Sequence, residues 1–324
     1  MSKLHITSQH IFTHRHFYAL FSGLCILLAG LLLTIYFTRP GIAQTTHRSD
    51  SQPQQSVEAP FTFPGGGRVL VPDYRFVALY GSPGAPVLGA LGEQDVAATM
   101  QRAKDTAAQY THLSDEPIYP TIELITTIAS ASPTENGDYS RELDIEKLQT
   151  WVDAAKQAGV YVVLDLQPGR TDFLTQAKQY EQLLREPHVG LALDPEWRLA
   201  PDQVHMKQIG RVSIEEVNNV GAWLADLAKS NKLPQKLFVL HQFRLSMLQN
   251  REQLDTARSE LAYIIHVDGQ GSQAQKNATW RALTASPPAN VTWGWKNFID
   301  EDKPMLSPEQ TMQVTPVPTL ITYQ

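Results

Sequence analysis

An acidic pair, Asp194 and Glu196, follows the apolar run VGLAL, and alternation along a strand puts both acids on one face with Gly190 and Ala192. Two carboxyl groups this close push their pKa values apart, which leaves one protonated near neutral pH. Glycoside hydrolysis needs such a pair, because one group protonates the leaving oxygen while the other stabilises positive charge. The pattern predicts Glu196 as the general acid/base and Asp194 as the stabilising or nucleophilic carboxylate. The structural alternative is that Asp194 caps the next turn and Glu196 pairs with Arg198.

Other polar residues lie near the ends of apolar runs and are predicted to bind substrate. Asp165 ends the run VYVVLDL, where a carboxylate is costly to bury without a partner, and Arg170 is its structural alternative. His266 and Asp268 form a His-x-Asp pair that could orient a substrate hydroxyl or relay a proton. The remaining candidates within strands are Tyr80, Glu123 and His241.

Aromatic side chains accompany these polar residues. Trp197 follows the acidic pair directly, and the run VTWGWKN carries Trp295 and Lys296. Indole faces stack on sugar rings, and lysine reaches sugar hydroxyls, so these three residues are predicted to bind substrate at the mouth of the fold. The alternative is that the tryptophans fill the layer between strands and helices.

Eight short runs rich in β-branched and aromatic residues predict the strands that hold these groups. They span 75–81, 118–128, 160–166, 189–194, 236–243, 261–268, 291–297 and 318–324. Helix signals separate them: a Ser213–Glu216 capping box, a C-cap glycine at Gly159, and Ser307 followed by Pro308.

Alternating strands and helices imply parallel strands joined by right-handed crossovers. A count of eight favours a closed barrel over an open sheet, and the first strand is not followed by a glycine-rich phosphate loop. The predicted fold is therefore α/β, with a single (β/α)8 TIM-type barrel over residues 69–324. In such barrels the active site lies at the C-terminal ends of the strands.

The N-terminal part predicts a membrane anchor. Residues 17–38 contain an uncharged apolar run long enough to span a bilayer, and the alternative is a cleavable signal peptide. Residues 1–16 would be cytoplasmic, and residues 39–68 form a polar, disordered linker. The expected location is the cell membrane, single-pass, with the barrel on the extracytoplasmic side. The single cysteine, Cys25, lies in the apolar run and leaves the barrel without a disulfide.

Composition excludes several classes. The net charge is −6 and basic residues are not interleaved with aromatics, which argues against nucleic acid as a partner. The metal ligands of amidohydrolase barrels are not in place at the ends of the first and last strands, and a G-x-S-x-G nucleophile elbow is missing. We therefore expect neither a metal nor any other cofactor.

The runs YVVLDLQPGRTDF, VGLALDPEWRL, LFVLHQFR, IIHVDGQG and WGWKNF resemble a family of secreted or membrane-linked barrel proteins of actinobacterial type. That resemblance implies location and fold but no reaction. The acidic pair is also similar to that of several glycoside hydrolase barrels, including lysozyme-like muramidases that cut peptidoglycan. The longer D-x-x-D-x-D-x-E string of chitinase-like barrels is not matched, since Gly190 and Ala192 occupy the earlier acidic positions.

These observations predict a glycoside hydrolase-like extracytoplasmic enzyme acting on cell-wall or extracellular polysaccharide. The rival is a non-catalytic barrel that binds a glycan or cell-wall polymer through the same residues, because binding and catalysis both use acids and tryptophans in a cleft. A hydrolase for another bond, using Asp and His, is a third possibility.

Overall fold

Parallel strands dominate the computed structural model, which describes residues 61–324. Its main sheet has nine strands, of which the short Ser140–Glu142 is antiparallel to its neighbour and the other eight are parallel. These eight are β1 Arg75–Gly81, β2 Ile118–Ala129, β3 Tyr161–Leu166, β4 Val189–Leu193, β5 Lys236–His241, β6 Leu261–Val267, β7 Thr292–Asn297 and β8 Leu320–Tyr323. The eight predicted strands are confirmed.

The sheet closes on itself because β1 pairs with both β2 and β8. Arg75 lies opposite Ile118 on one side, and Phe76 lies opposite Leu320 on the other. Every other barrel strand pairs with its two neighbours in chain order. The predicted closed TIM-type barrel is therefore confirmed.

Within residues 61–324, helices cover the outside of the barrel. The longer ones are α1 Val96–Ala108, α2 Ile145–Ala158, α3 Phe173–Gln179, α4 Ile214–Ser230 and α5 Gln273–Thr284, and two single turns are Glu181–Leu184 and Pro308–Thr311. Each of the longer helices starts at an Asp or Ser whose side chain accepts a hydrogen bond from the first helical turn. Gly159 ends α2 with φ 70°, as the sequence predicted.

The predicted capping box at the start of α4 forms only in part. Ser213 accepts a hydrogen bond from the Glu216 backbone at 3.2 Å, as expected. The Glu216 carboxylate instead accepts from the Phe173 backbone at 2.9 Å and pairs with Arg198 at 3.0 Å. Tertiary contacts outside the helix thus take the side chain that would complete the box.

The remaining regular elements are short. They are the paired strands Val212–Ser213 and Leu248–Gln249 and the 3-10 helices Pro86–Leu88, Ala90–Glu93, Pro195–Trp197, Leu245–Met247 and Arg251–Gln253. Residues 242–260, which link β5 to β6, contain no α-helix. The crossover there contains the 3-10 helices Leu245–Met247 and Arg251–Gln253 and the short strand Leu248–Gln249.

The segment 61–74 closes the N-terminal end of the barrel. Phe63 is 2% exposed, with its ring centroid 6.1 Å from that of Tyr119 and 6.4 Å from that of Tyr161. Leu70 and Tyr74 are buried in the same cluster. Residues 61–68, placed in the linker by the sequence analysis, therefore pack as part of the barrel, because Phe63 supplies the apolar surface that fills its floor.

No helix within residues 61–324 has the length and hydrophobicity to cross a bilayer. The predicted membrane segment 17–38 and most of the predicted linker lie outside the described residues.

Candidate active site

The inward-facing residues near the C-terminal ends of the strands are mostly ionisable. Alternation along the strands directs six of these side chains into the barrel: Tyr80 of β1, Glu123 of β2, Asp165 of β3, His241 of β5, His266 of β6 and Lys296 of β7. Asp194 and Asp268 lie just beyond the ends of β4 and β6. All eight side chains are at least nine-tenths buried. Below them the barrel interior is apolar, so the polar cluster forms one layer at the C-terminal end.

His241 forms the centre of this layer. Its Nε2 lies 2.8 Å from Glu123 Oε1, and its Nδ1 lies 3.0 Å from Asp268 Oδ2. Burial alone would lower the pKa of His241, but the two carboxylates outweigh it and hold that pKa well above its usual range. His241 is therefore an imidazolium at neutral pH, held between two carboxylates.

The protonation of Asp268 follows from this contact. Burial would raise the pKa of Asp268, but the hydrogen bond and charge of His241 reverse the effect and lower that pKa. Asp268 is thus ionised at neutral pH. Its Oδ1 is buried and finds no hydrogen-bond partner within residues 61–324.

Asp165, Tyr80 and Lys296 form a second set of contacts in the layer. The Tyr80 hydroxyl donates to Asp165 Oδ2 at 2.8 Å, and Lys296 Nζ lies 3.4 Å from the Tyr80 ring centroid. Burial raises the pKa of Asp165 to about 6, although the charge of His241 opposes the rise. Asp165 therefore carries most of its charge at pH 7 and can lose it in mildly acidic conditions.

The acidic pair lies where β4 ends. Asp194 is 3% exposed, and its Oδ1 accepts a hydrogen bond from the Glu196 backbone at 3.2 Å, so it caps the 3-10 helix Pro195–Trp197. Burial raises the pKa of Asp194 well above its usual range. Burial and the Asp268 charge raise the pKa of Glu196 to about 7. Both acids of the pair thus resist ionisation.

Glu196 is the accessible member of the pair. The salt bridge to Arg198 considered from sequence does not form, because Arg198 pairs with Glu216. Glu196 and Trp197 instead line a cavity of about 390 Å³ at the barrel mouth. Its other lining residues are His205, Met206, Lys207, Gln208, Ile209 and Arg244. The Trp197 ring is held edge-on against His205, with centroids 5.2 Å apart, and His205 bonds in turn to the Tyr139 carbonyl at 3.0 Å.

His266 is held neutral beside this cluster. Burial, together with the charges of His241 and Lys296, lowers the pKa of His266 well below 6.5. Its Nε2 lies 3.1 Å from the Thr322 hydroxyl, and its Nδ1 has no partner in the described chain. Sequence reasoning missed Thr322, although it lies on the inward face of the last strand, one residue before that strand ends at Tyr323.

The expectation that Trp295 contacts substrate needs correction. Alternation puts Lys296 inside the barrel and Trp295 outside, where it is 2% exposed and its ring centroid lies 5.3 Å from that of Trp280 on α5. Its indole N–H donates to Asn297 Oδ1 at 2.9 Å. Trp295 therefore belongs to the layer between strands and helices, which was the alternative for the tryptophans.

Two sets of three side chains could approach a metal ion: Glu123, His241 and His266, or Asp194, His241 and Asp268, with ligand atoms within 4.8 Å of one another. Both sets need His241, whose two ring nitrogens already contact carboxylates at hydrogen-bond distance. A metal needs a deprotonated nitrogen and would have to displace these bonds. The expected absence of a metal stays a prediction.

A scan against protein-family models and a search of curated proteins found no match. Among solved structures, the chain is similar to a hyperthermophilic endo-β-1,4-glucanase in complex with substrate (TM-score 0.40, 11% identity, 76% of this chain and 88% of that one). It is also similar to a cellobiohydrolase mutant in the closed form (0.31, 12%, 60% and 62%). A third is a β-1,4-D-mannanase from Cryptopygus antarcticus (0.37, 10%, 78% and 84%).

The class defined by the structure itself is a closed α/β barrel with an ionisable layer at the C-terminal ends of its strands. The resemblance to an actinobacterial-type family finds no support in the comparisons. An activity therefore has to be inferred from the side chains at the barrel mouth.

Proposed function

We propose that the protein is a glycoside hydrolase-like enzyme that cleaves polysaccharide at the cavity beside Glu196. The observation that carries the proposal is the opposite shift of two pKa values at one mouth, raised to about 7 for Glu196 and lowered for Asp268. Carboxyl groups whose environments separate their pKa values in this way can act as acid and as carboxylate in the same reaction.

In this proposal Glu196 protonates the glycosidic oxygen as the C–O bond breaks, and the ionised Asp268 stabilises the positive charge that develops on the sugar. Water then adds to that sugar carbon and gives up a proton, which restores the acid form of Glu196. The assignment differs from the one made from sequence, which gave the second role to Asp194. Burial raises the pKa of Asp194 well above its usual range, and its Oδ1 already accepts a hydrogen bond from the Glu196 backbone. Asp194 is therefore proposed as a positioning residue for the acid.

The cavity supplies a place for a sugar ring. Trp197 lines it next to Glu196, and its orientation is set by contact with His205. An indole beside a carboxylic acid suits a pyranose, because the ring packs on the apolar face while its substituents reach polar groups.

Reducing-end release from a panel of extracellular and cell-wall polysaccharides tests the proposal. We expect Glu196→Gln and Asp268→Asn each to lower kcat by roughly 10²–10⁴-fold, the contribution of a positioned acid or base. Asp194→Asn should have a smaller effect. Glu215→Gln, an exposed acid on α4, is the matched control and should retain full activity. Full activity in Glu196→Gln would exclude the mechanism.

A non-catalytic glycan-binding barrel is the second candidate. The observation that favours it is the burial of the cluster, since Asp268 is 8% exposed and Asp165 and Glu123 are completely buried. A ligand could then occupy the cavity without reaching a second carboxylate. Thermal stabilisation by a polysaccharide that the protein leaves intact would support this candidate over the enzyme.

The location is also a proposal. Residues 17–38 would anchor the chain in the cell membrane, with the barrel on the extracytoplasmic side, where extracellular polysaccharide is available. Protease added to intact cells should then digest the barrel domain. Protection of the domain until the cells are opened would reverse the orientation.

A further inference from the structure

Within residues 61–324, three lysines are buried, and one of them differs from the others. Lys236, Lys276 and Lys296 are 0%, 4% and 3% exposed. Lys236 Nζ donates to two carbonyl oxygens at 2.9 and 2.7 Å. Lys276 Nζ donates to two carbonyl oxygens at 2.9 and 2.6 Å and pairs with Asp302 at 2.8 Å. The fold therefore provides acceptors for the lysines that it buries for structural reasons.

Lys296 has no such acceptors. Its Nζ contacts the faces of two aromatic rings, 3.4 Å from the Tyr80 centroid and 5.2 Å from that of Phe298, and makes no hydrogen bond or ion pair in the described chain. Cation–π contact offsets part of the desolvation of an ammonium group but leaves its N–H donors without acceptors. An acceptor from outside the chain would complete the site.

Lys296 also lies near the C-terminal end of β7, at the same end of the barrel as Glu196. Arg244 lines the cavity together with Glu196, and the charges of Lys296 and Arg244 both oppose the rise in the pKa of Glu196. Arg244 and Lys207 line the cavity and are exposed, and neither forms an ion pair within residues 61–324. Glu196 is the one acid among the cavity-lining residues, which also include the cations Lys207 and Arg244.

We propose that the sugar bound beside Glu196 carries a carboxylate, which pairs with Lys296 and Arg244. This inference rests on the proposed function, because it takes a glycan to be the ligand of the cavity. A carboxylate gives Lys296 the acceptor that it lacks and matches the planar fork of the Arg244 guanidinium. A neutral sugar would give Lys296 no charged acceptor within hydrogen-bond distance and would leave Arg244 without an ion-pair partner.

The substrate charge would also assist the chemistry. An anion brought close to Glu196 raises the pKa of that carboxyl group further and keeps it protonated for its role as acid. Two sources supply such a sugar: a uronic acid, with the carboxylate on the ring, and a sugar of peptidoglycan glycan strands, with the carboxylate on a lactyl ether.

The test compares binding of charged and neutral forms of one polymer to the full chain. The probes are oligogalacturonate, the same oligomer after reduction of its carboxylates to alcohols, and glycan strands of peptidoglycan freed of peptide. We expect the carboxyl-reduced oligomer to bind at least about tenfold more weakly than the best acidic probe, the size of one charge-assisted hydrogen bond. The acidic probe that binds more tightly identifies the source of the carboxylate.

Two variants connect this difference to the proposed residues. Lys296→Met and Arg244→Gln should each weaken binding of the acidic probe by about tenfold and leave binding of the reduced probe unchanged. Arg244 is exposed, so its variant remains informative if Lys296→Met fails to fold. Lys229→Met is the control, since this lysine is exposed on α4 and its side chain has a relative exposure of 74%.

The outcomes separate this inference from the proposed activity. Equal affinity for charged and reduced probes, or wild-type affinity for the acidic probe in both variants, would overturn the inference. Hydrolysis that depends on Glu196 but shows no preference for acidic polymers would do the same and leave the enzyme proposal standing. Selective binding of an acidic probe that the wild type never cleaves would support the inference and contradict the proposed hydrolase activity. Absence of binding to every probe would overturn the inference.

Discussion

His241 Nε2 lies 2.8 Å from Glu123 Oε1 across the inside of the barrel, and both side chains are completely buried. The two residues lie on β5 and β2, 118 positions apart in the chain. With Asp268 at 3.0 Å on the other ring nitrogen, the contact places one positive charge between two negative ones.

Replacing His241 by Gln should destabilise the fold by about 3–5 kcal/mol at pH 7, because it leaves two buried carboxylates without their cation. Denaturant unfolding measures the change. His188→Gln is the control: this histidine is also buried but makes one bond, to a backbone carbonyl at 3.0 Å, and its loss should be about 1 kcal/mol. Equal losses in the two variants would contradict the charge-based explanation.

The advantage of the wild type over His241→Gln should depend on pH at both ends. A raised folded-state pKa means that the His241 contribution is complete below the unfolded pKa and is lost as pH rises through the folded one. The lowered pKa of Asp268 means that its contribution is lost as pH falls through that value. The unfolding free energies of the wild type and of His241→Gln, measured across pH, should therefore differ most above the folded-state pKa of Asp268 and below that of His241.

Glu196→Gln should stabilise the protein at alkaline pH. The Glu196 pKa is raised from 4.5 to about 7 by folding, so the wild type loses stability as pH rises through this window. The variant should be equally stable at pH 4 and more stable by on the order of 2 kcal/mol at pH 8. A gain of the same size in the exposed Glu215→Gln would show that general charge repulsion, rather than burial of Glu196, is responsible.

If the proposed chemistry holds, kcat/KM should fall above pH 7, where Glu196 loses its proton, and fall again in acid, where Asp268 gains one. Arg244→Gln should move the alkaline limb to higher pH, because the Arg244 charge opposes the rise in the Glu196 pKa. The pH profiles of the two proteins give the comparison. If the alkaline limb does not move in Arg244→Gln, the group that titrates there is not Glu196.

Two tryptophans should respond in opposite ways to replacement by alanine. Trp295 fills the layer against α5, so Trp295→Ala should cost about 3–5 kcal/mol of stability. Trp197 lines the cavity, so Trp197→Ala should weaken glycan binding while the unfolding transition stays near that of the wild type. Unfolding curves and binding isotherms for both variants check the pair. A large stability loss in Trp197→Ala would assign that ring to the core instead.

Deleting residues 318–324 should abolish cooperative unfolding. These residues contain β8, which closes the barrel by pairing with β7 and β1. Its loss opens two sheet edges and exposes the inward side chains Leu320 and Thr322. Circular dichroism during heating measures the transition. A truncated protein that melts cooperatively near the wild-type temperature would show that closure contributes little.

The strands and the inward direction of many site residues could be predicted from sequence because both depend on local patterns. Apolar runs of strand length with period-two alternation locate Asp165 and His266 at the carboxyl ends of β3 and β6 without knowledge of the fold. Alternation could also have shown that Trp295 and Lys296, adjacent in one strand, face opposite sides of the sheet. The alternation of β7 is therefore sufficient to place Trp295 outside the barrel.

Tertiary structure decided which of these residues meet and which protons they hold. His241 pairs with Glu123, which lies three strands away in the barrel order, because closure brings side chains from non-adjacent strands into one layer. Burial then raises the pKa of Asp194 and Glu196 together, while contact with His241 lowers that of Asp268. Alternation is a property of neighbouring residues, whereas distance and desolvation across a barrel depend on every strand that closes it.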